Sequence, residues 1–140
     1  MCGKYGILCV VPFVFAAVFG LSSCGKDIND ELRGRWQFSY CEYPTGDTFA
    51  CDSAFYSFDS GVFQLQKLLP GGHEAHRIFG NYVLSGDSLI ITDLSIWTEF
   101  YCMPPFDWGR DGSKRFRVGE LSRRCLILSC RDTVYHFRKF

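Results

Sequence analysis

Thiols are the side chains of this sequence with the widest range of chemistry. Five cysteines follow Cys24, an odd number, so at least one is free or pairs outside the chain. Cys41 and Cys51 flank the segment YPTGD, so a disulfide could join them across a hairpin. Cys125 and Cys130 lie five apart on a predicted strand and point to opposite faces, which argues against a mutual bond. No CxxC exists, so neither a redox motif nor a zinc knuckle is predicted.

Other candidate catalytic or metal-binding groups lie in segments that lack the required spacing. His73, Glu74 and His76 follow Pro-Gly-Gly and lack the i, i+4 histidine pair of a zincin. The segment Asp107–Lys114 faintly resembles a calcium loop, but Val118 stands where a bidentate Glu is required. No Gly-rich phosphate loop or nucleophile motif appears. We therefore expect no metal, no cofactor and no enzyme activity.

The N-terminal segment predicts export and lipidation. Residues 7–20 form an uncharged run of 14 residues after Lys4, which suits a secretory signal better than a membrane-spanning helix. Residues 21–24, LSSC, resemble a bacterial lipobox, in which Cys24 takes a diacylglycerol and becomes the new N-terminus. The resemblance implies a signal peptide over 1–23 and a lipidated tether over 24–31. An ordinary cleaved signal or an uncleaved anchor is the alternative.

The tether "GKDINDE" loosely resembles the acidic export tags of surface lipoproteins from Bacteroides-like bacteria, although Ile28 interrupts that pattern. These resemblances imply the bacterial cell envelope, with a lipid anchor in the outer membrane, and leave open which side the protein faces.

The composition of the mature chain fits one small domain with an aromatic core. Residues 24–140 carry 14 Lys/Arg (the 15 of the chain less Lys4) against 15 Asp/Glu, so nothing implies nucleic acid. From Arg110 onward there are nine Lys/Arg and three Asp/Glu, which predicts a solvated face or a basic patch toward lipid headgroups. Phe, Trp and Tyr number 20 in residues 24–140 and can fill a dense core.

Alternation of apolar and polar residues predicts an all-β fold. Turns are expected at Asp59–Gly61, at Ser85–Asp87 and at Arg131-Asp132. The last of these would set Leu128 opposite Tyr135 in a hairpin. Roughly eight short antiparallel strands joined by tight turns are typical of a small up-and-down β-barrel, here over residues 32–140. The sequence also allows a short helix near residues 28–32.

Three motifs give the barrel a family resemblance. "LRGRWQ" is similar to the Gly-x-Trp motif that opens lipocalins, at Gly34 and Trp36. "FGNYVLSGDSLII" resembles a hairpin of lipocalin-like (calycin-like) lipoproteins from Bacteroides and relatives, and "TVYHFRKF" resembles their last strand. In lipocalins a late basic residue packs over this Trp, and Arg138 is the match by resemblance. The chain is shorter than most lipocalins and lacks their C-terminal helix.

Two functions are expected. In the first, the barrel binds a small hydrophobic or amphipathic ligand, and Arg138 or Tyr hydroxyls orient its polar end. In the second, a filled barrel docks to another envelope protein through its rim, with residues Trp97 to Trp108. Segment 96–109 is either a lid or, as we favour, a plug at one barrel end. The candidate ligand-binding residues are Trp36, Phe38, Tyr40, Phe63, Tyr82, Trp97, Phe100, Trp108, Phe116, Tyr135, Phe137 and Arg138.

Overall fold

The structure, a computed structural model, describes residues 27–92 and 113–140. Within these residues the chain forms one short helix and nine strands. The helix is α1 (Ile28–Leu32). The strands are β1 (Gly34–Glu42), β2 (Thr48–Ala50), β3 (Ala54–Asp59), β4 (Val62–Leu68), β5 (Ala75–Ser85), β6 (Ser88–Thr92), β7 (Lys114–Leu121), β8 (Cys125–Cys130) and β9 (Thr133–Lys139).

The strands close into an eight-stranded antiparallel barrel. Strand β1 pairs with β3, and β3 to β9 then pair in sequence order. Pairing of β9 with β1 closes the circle, so no long sheet edge is left among the described strands. The short β2 pairs with the last residues of β1. The prediction of a small up-and-down barrel is confirmed.

The predicted tight turns join neighbouring strands. Strands β8 and β9 set Leu128 opposite Tyr135 and Leu126 opposite Phe137, as expected. Arg131 and Asp132 have φ values of 48° and 65°, the positive φ pair that a two-residue type I′ hairpin requires. The turns between β3 and β4 and between β5 and β6 also lie where the sequence predicts them.

Two β-bulges interrupt the alternation and change which residues point inward. On β1, Phe38 pairs with Phe137 but Tyr40 pairs with His136, so one extra residue stands between them. The side chains beyond the bulge change face: Cys41 is buried, whereas Tyr40 is 37% exposed. The prediction that Tyr40 lines the interior is therefore wrong.

Helix α1 covers one end of the barrel, which we call the base. Asp27 caps the helix by accepting a hydrogen bond from the Asn29 amide at 3.0 Å, and Leu32 is fully buried. The helix lies at the residues where the sequence allows one, and it overlaps the predicted tether over residues 28–31. Among the described residues, no helix has the length and apolar character needed to cross a bilayer.

Candidate ligand-binding site

The middle of the barrel is filled by the aromatic side chains that the sequence proposed as ligand contacts. Phe137 lies between Phe38 and Tyr56, with ring centroids 5.6 Å and 4.6 Å away. Phe63 meets the Tyr56 ring at 5.1 Å. Tyr82 meets the Phe58 ring at the same distance. All of these side chains are buried. The structure thus brings Phe38, Phe63, Tyr82 and Phe137 together, but as a packed core.

The base of the barrel is closed by contacts around Trp36. The Trp36 indole is fully buried, and its Nε1 donates a hydrogen bond to the Leu32 carbonyl at 2.7 Å. The ammonium of Lys139 lies 4.2 Å from the Trp36 ring centroid and also donates to the Arg33 carbonyl. Gly34 has a φ of +117°, and a Cβ there would stand 2.8 Å from the Lys139 Nζ. Gly34 thus leaves room for the Lys139 side chain, whose ammonium contacts the Trp36 ring two residues further along β1. These contacts account for the Gly-x-Trp motif.

The basic residue over Trp36 is therefore Lys139, and the assignment of that place to Arg138 is wrong. Successive residues of a strand point to opposite faces, so a shift by one residue exchanges inside and outside. Arg138 is exposed on the outer face, where its Nε donates to Gln37 Oε1 at 2.7 Å. Arg138 thus cannot orient the polar end of a molecule held inside the barrel.

The opposite end of the barrel, which we call the mouth, is more polar. Strand β6 ends there at Thr92 and β7 begins at Lys114. The Lys114 ammonium lies 5.7 Å from the ring centroid of Phe116 and 5.6 Å from that of Tyr135. An open groove of about 1000 Å³ runs along this rim. Its lining comprises Asp87, Ser88, residues 113–117 and residues 129–135.

Residues 93–112 join the two sides of the mouth in the sequence, since β6 ends at Thr92 and β7 begins at Lys114. The predicted lid or plug residues Trp97, Phe100 and Trp108 lie outside the described residues, as does the lipidation site Cys24. Their roles stay predictions.

A polar cluster near the mouth was missed by sequence reasoning. Lys67 Nζ donates to Cys51 Sγ at 2.8 Å and to Ser53 Oγ at 2.6 Å. Partial burial acts to raise the pKa of the Cys51 thiol. Hydrogen bonds from Lys67 and Ser53, with the charge of Lys67, outweigh burial and leave that pKa below its ordinary value. The sequence carried a signal, because Lys67 continues the inward alternation of Phe63 and Leu65.

The predicted disulfide between Cys41 and Cys51 is not formed in this structure. Cys51 is a free cysteine that contacts Lys67. The register of the β1–β2 hairpin sets Cys41 opposite Phe49, two residues before Cys51. A bond between residues offset in this way would require a shift of the backbone.

Tyr40 takes part in a different arrangement on the outer wall. Its ring stacks on the His136 imidazole with centroids 4.2 Å apart and planes 9° apart. His136 Nε2 lies 2.8 Å from Glu42 Oε1. Tyr40 is therefore removed from the set of candidate ligand contacts.

The closed eight-stranded antiparallel barrel, plugged at its base, places this protein among the small up-and-down β-barrel proteins. The comparisons with known proteins name the family. The Lipocalin-like domain family model matches residues 19–140, so the chain belongs to that family.

Two solved structures from Bacteroides species are similar to this chain. A lipocalin-like protein from Bacteroides uniformis is 34% identical, with a TM-score of 0.67 over 79% of this chain and 99% of its own. An uncharacterised protein from Bacteroides eggerthii is 30% identical, with a TM-score of 0.68 over 78% of this chain and 99% of its own. No curated protein matches the sequence.

Proposed function

We propose that this protein is an acylated envelope lipoprotein whose barrel mouth binds a small hydrophobic or amphipathic molecule without converting it. The lipobox at Cys24 supports an anchor in the outer membrane, and the lipocalin-like fold supports binding. The observation that carries the proposal is the change of chemistry along the barrel. One end is plugged by Trp36 and Lys139, whereas the other sets the Lys114 ammonium over two aromatic rings.

The mouth fits an amphipathic molecule better than the middle of the barrel does. In the middle, the buried rings around Phe137 pack against one another. At the rim, the groove is lined by hydroxyl and ammonium groups, including those of Ser129 and Lys114, beside the Phe116 and Tyr135 rings, which are themselves only 1% and 4% exposed. Binding sites for small molecules typically combine apolar contact area with a few oriented polar groups. We therefore assign ligand contact to the polar groups of the mouth, and we assign to the core Phe38, Phe63, Phe116, Tyr135 and Phe137.

Native mass spectrometry of the protein, extracted mildly from its own cells, tests the binding proposal. We expect a co-purifying small molecule with the wild-type protein and with Arg123→Glu, a charge change in an exposed loop at the base. We expect the adduct to fall with Lys114→Glu, which reverses the charge at the mouth. An adduct that the two variants retain equally would contradict the assignment to the mouth.

The filled middle of the barrel favours a second candidate function, which is docking to another envelope protein. A barrel packed with its own side chains can serve as a rigid support for the loops at its rim. In the same measurement, an apo mass with a reproducible protein partner would favour this second function over ligand binding.

The lipid anchor has its own test, which is independent of any ligand. Cys24→Ala removes the thiol that would carry the diacylglycerol. We expect the variant to leave the membrane fraction or to be mislocalised, since acyl chains supply about 0.8 kcal/mol of membrane affinity per buried methylene. Unchanged membrane fractionation, with no acyl mass on the N-terminal peptide of the wild type, would contradict the anchor.

A further inference from the structure

The outer face of β4, β5 and β6 carries a group of apolar side chains, which we call the apolar wall: the exposed Val62, Phe79 and Val83 and the half-buried Ile90. Val62 pairs with Asn81, which makes Phe79 and Val83 its diagonal neighbours, and Val83 pairs directly with Ile90. Val62, Phe79 and Val83 are 50%, 52% and 61% exposed. Single exposed apolar residues are ordinary, but contiguous ones mark an interaction surface.

Exposed arginines border the apolar wall. Arg77 precedes Phe79 by two residues on the same face of β5. Arg115 pairs with Ile90, and Arg117 lies two residues further along the same face, opposite Ser88. All three arginines are exposed.

Carboxylates are scarce around the same wall. Strands β4, β5 and β6 contain no Asp or Glu, and the one carboxylate of β7 is Glu120, at the far end of that strand. Asp59 of β3 pairs directly with Val62, and its carboxylate lies 2.7 Å from Arg33 Nε. In the β5–β6 turn, Asp87 accepts from Arg117 Nε at 3.1 Å. The wall is therefore an apolar strip with a positive border, which is complementary to an anionic lipid surface.

The apolar wall also begins next to the point where the predicted tether enters the fold. Asn29, Asp30 and Arg33 line one shallow groove together with Val83 and Gly61. Three residue steps separate Cys24 from Asp27, and a fully extended chain covers about 11 Å at most over that length. An acylated Cys24 would thus hold this side of the barrel close to the bilayer. Asp30 lies at the α1 end of the wall, and anionic headgroups repel its carboxylate. We therefore expect the arginine border to approach the headgroups more closely than the α1 end does.

We propose that the apolar wall lies against the surface of the lipid bilayer in which the acyl chains of Cys24 are inserted. This inference rests on the lipid anchor proposed above. Phe79, Val83 and Val62 reach the boundary between headgroups and acyl chains, and the arginines contact lipid phosphates. The barrel then lies on its side.

Hydroxyl-radical footprinting of the acylated wild-type protein tests this orientation residue by residue. The readout is the oxidation of Phe79 relative to Phe140, which is 69% exposed and lies off the wall. On vesicles of phosphatidylethanolamine and phosphatidylglycerol, we expect this ratio to fall about threefold or more relative to the unacylated protein in solution, since an apolar ring at the headgroup boundary leaves bulk water. Arg77→Glu combined with Arg115→Glu should restore the ratio. The matched control, Arg123→Glu combined with Arg124→Glu in the β7–β8 loop, should not restore it.

The outcomes separate this inference from the anchor on which it rests. An unchanged Phe79 ratio on vesicles, with the acyl mass present on the N-terminal peptide, would overturn the docking and leave the anchor standing. If the acyl mass is absent, the anchor fails. The same oxidation ratio is then measured with unacylated protein mixed with vesicles. Protection of Phe79 there supports docking, and unchanged oxidation of Phe79 overturns the docking proposal. Protection in native membranes but not on pure lipid would identify a protein occupant and overturn the proposal.

Discussion

Replacing Lys139 by Met should destabilise the barrel, because the Lys139 ammonium helps to close its base. Met keeps an unbranched apolar stem beneath the Trp36 ring and removes the charge. The lost cation–π contact is worth about 0.5–2 kcal/mol, depending on its desolvation. The lost hydrogen bond to the Arg33 carbonyl is worth about 1.5–3 kcal/mol for a charged donor. Because one half-buried ammonium makes both contacts, the contributions overlap, and we expect a loss of about 2 kcal/mol in the free energy of unfolding.

Urea-induced unfolding, followed by far-ultraviolet circular dichroism, measures this loss. Arg123→Met is the control for removing a positive charge at the same end of the barrel, and we expect it to change stability by about 0.5 kcal/mol or less. A double-mutant cycle with Trp36→Leu isolates the contact between ammonium and ring, with an expected coupling of at least about 0.5 kcal/mol. A loss below about 0.5 kcal/mol for Lys139→Met, or no coupling, would refute this account of the base.

Three further predictions follow from the core, the thiols and the first strand. Phe137→Ala removes the ring at the centre of the aromatic core and should cost about 3–5 kcal/mol in urea unfolding; a loss under about 1 kcal/mol would contradict its central packing. Cys51 should react with iodoacetamide at lower pH than Cys125, whose pKa is raised by burial and by Glu120, and Lys67→Met should slow Cys51 near neutral pH; equal pH profiles for the two thiols would count against the contact with Lys67. Gly34→Ala should lower the melting temperature and cost about 1–3 kcal/mol, because Ala resists a φ of +117°; an unchanged melting temperature would argue against that backbone conformation.

Local sequence signals were sufficient to predict the hairpins. Asp59–Gly61 and Arg131-Asp132 stand between alternating apolar runs, and the short turns leave little freedom of register. The pairing of Leu128 with Tyr135 followed directly from the length of one turn. Closure of the barrel was predicted from the number of strands and the tight turns, and the family resemblance supported it, since alternation alone also fits an open sheet.

The inward and outward sides of β1 could not be read as reliably. Alternation assumes regular pairing, but the bulge after Phe38 inserts one residue and sends Tyr40 outward. The assignment of Arg138 was wrong for a different reason: it came from the family resemblance, whereas alternation from the inward Tyr135 and Phe137 places Lys139 on the inner face. In β7, by contrast, Gly119 inside a strand was a visible signal of the second bulge, which separates Val118 from Glu120 in the ladder.

The polar groups near the mouth depended on pairing between distant segments. Cys51, Ser53 and Lys67 meet because β3 and β4 form a hairpin that returns Lys67 to the start of β3. Sequence reasoning considered Cys51 only with another cysteine, the partner that spacing suggested. A charged residue in phase with inward apolar ones, as Lys67 is with Phe63 and Leu65, indicates a local conflict that a specific contact resolves.

The pairing of β1 with β9 has a consequence for how the chain folds. Trp36 pairs with Lys139, so the ring of strands cannot close until almost the whole polypeptide has been synthesised. Until that moment β1 lacks one neighbouring strand and presents unpaired backbone N–H and C=O groups, with which strands of other chains can pair. Joining such distant segments also carries a large loop-closure entropy, which slows folding of β proteins. Deleting the last strand would therefore leave a persistent aggregation-prone intermediate, even though most of the hairpins could still form.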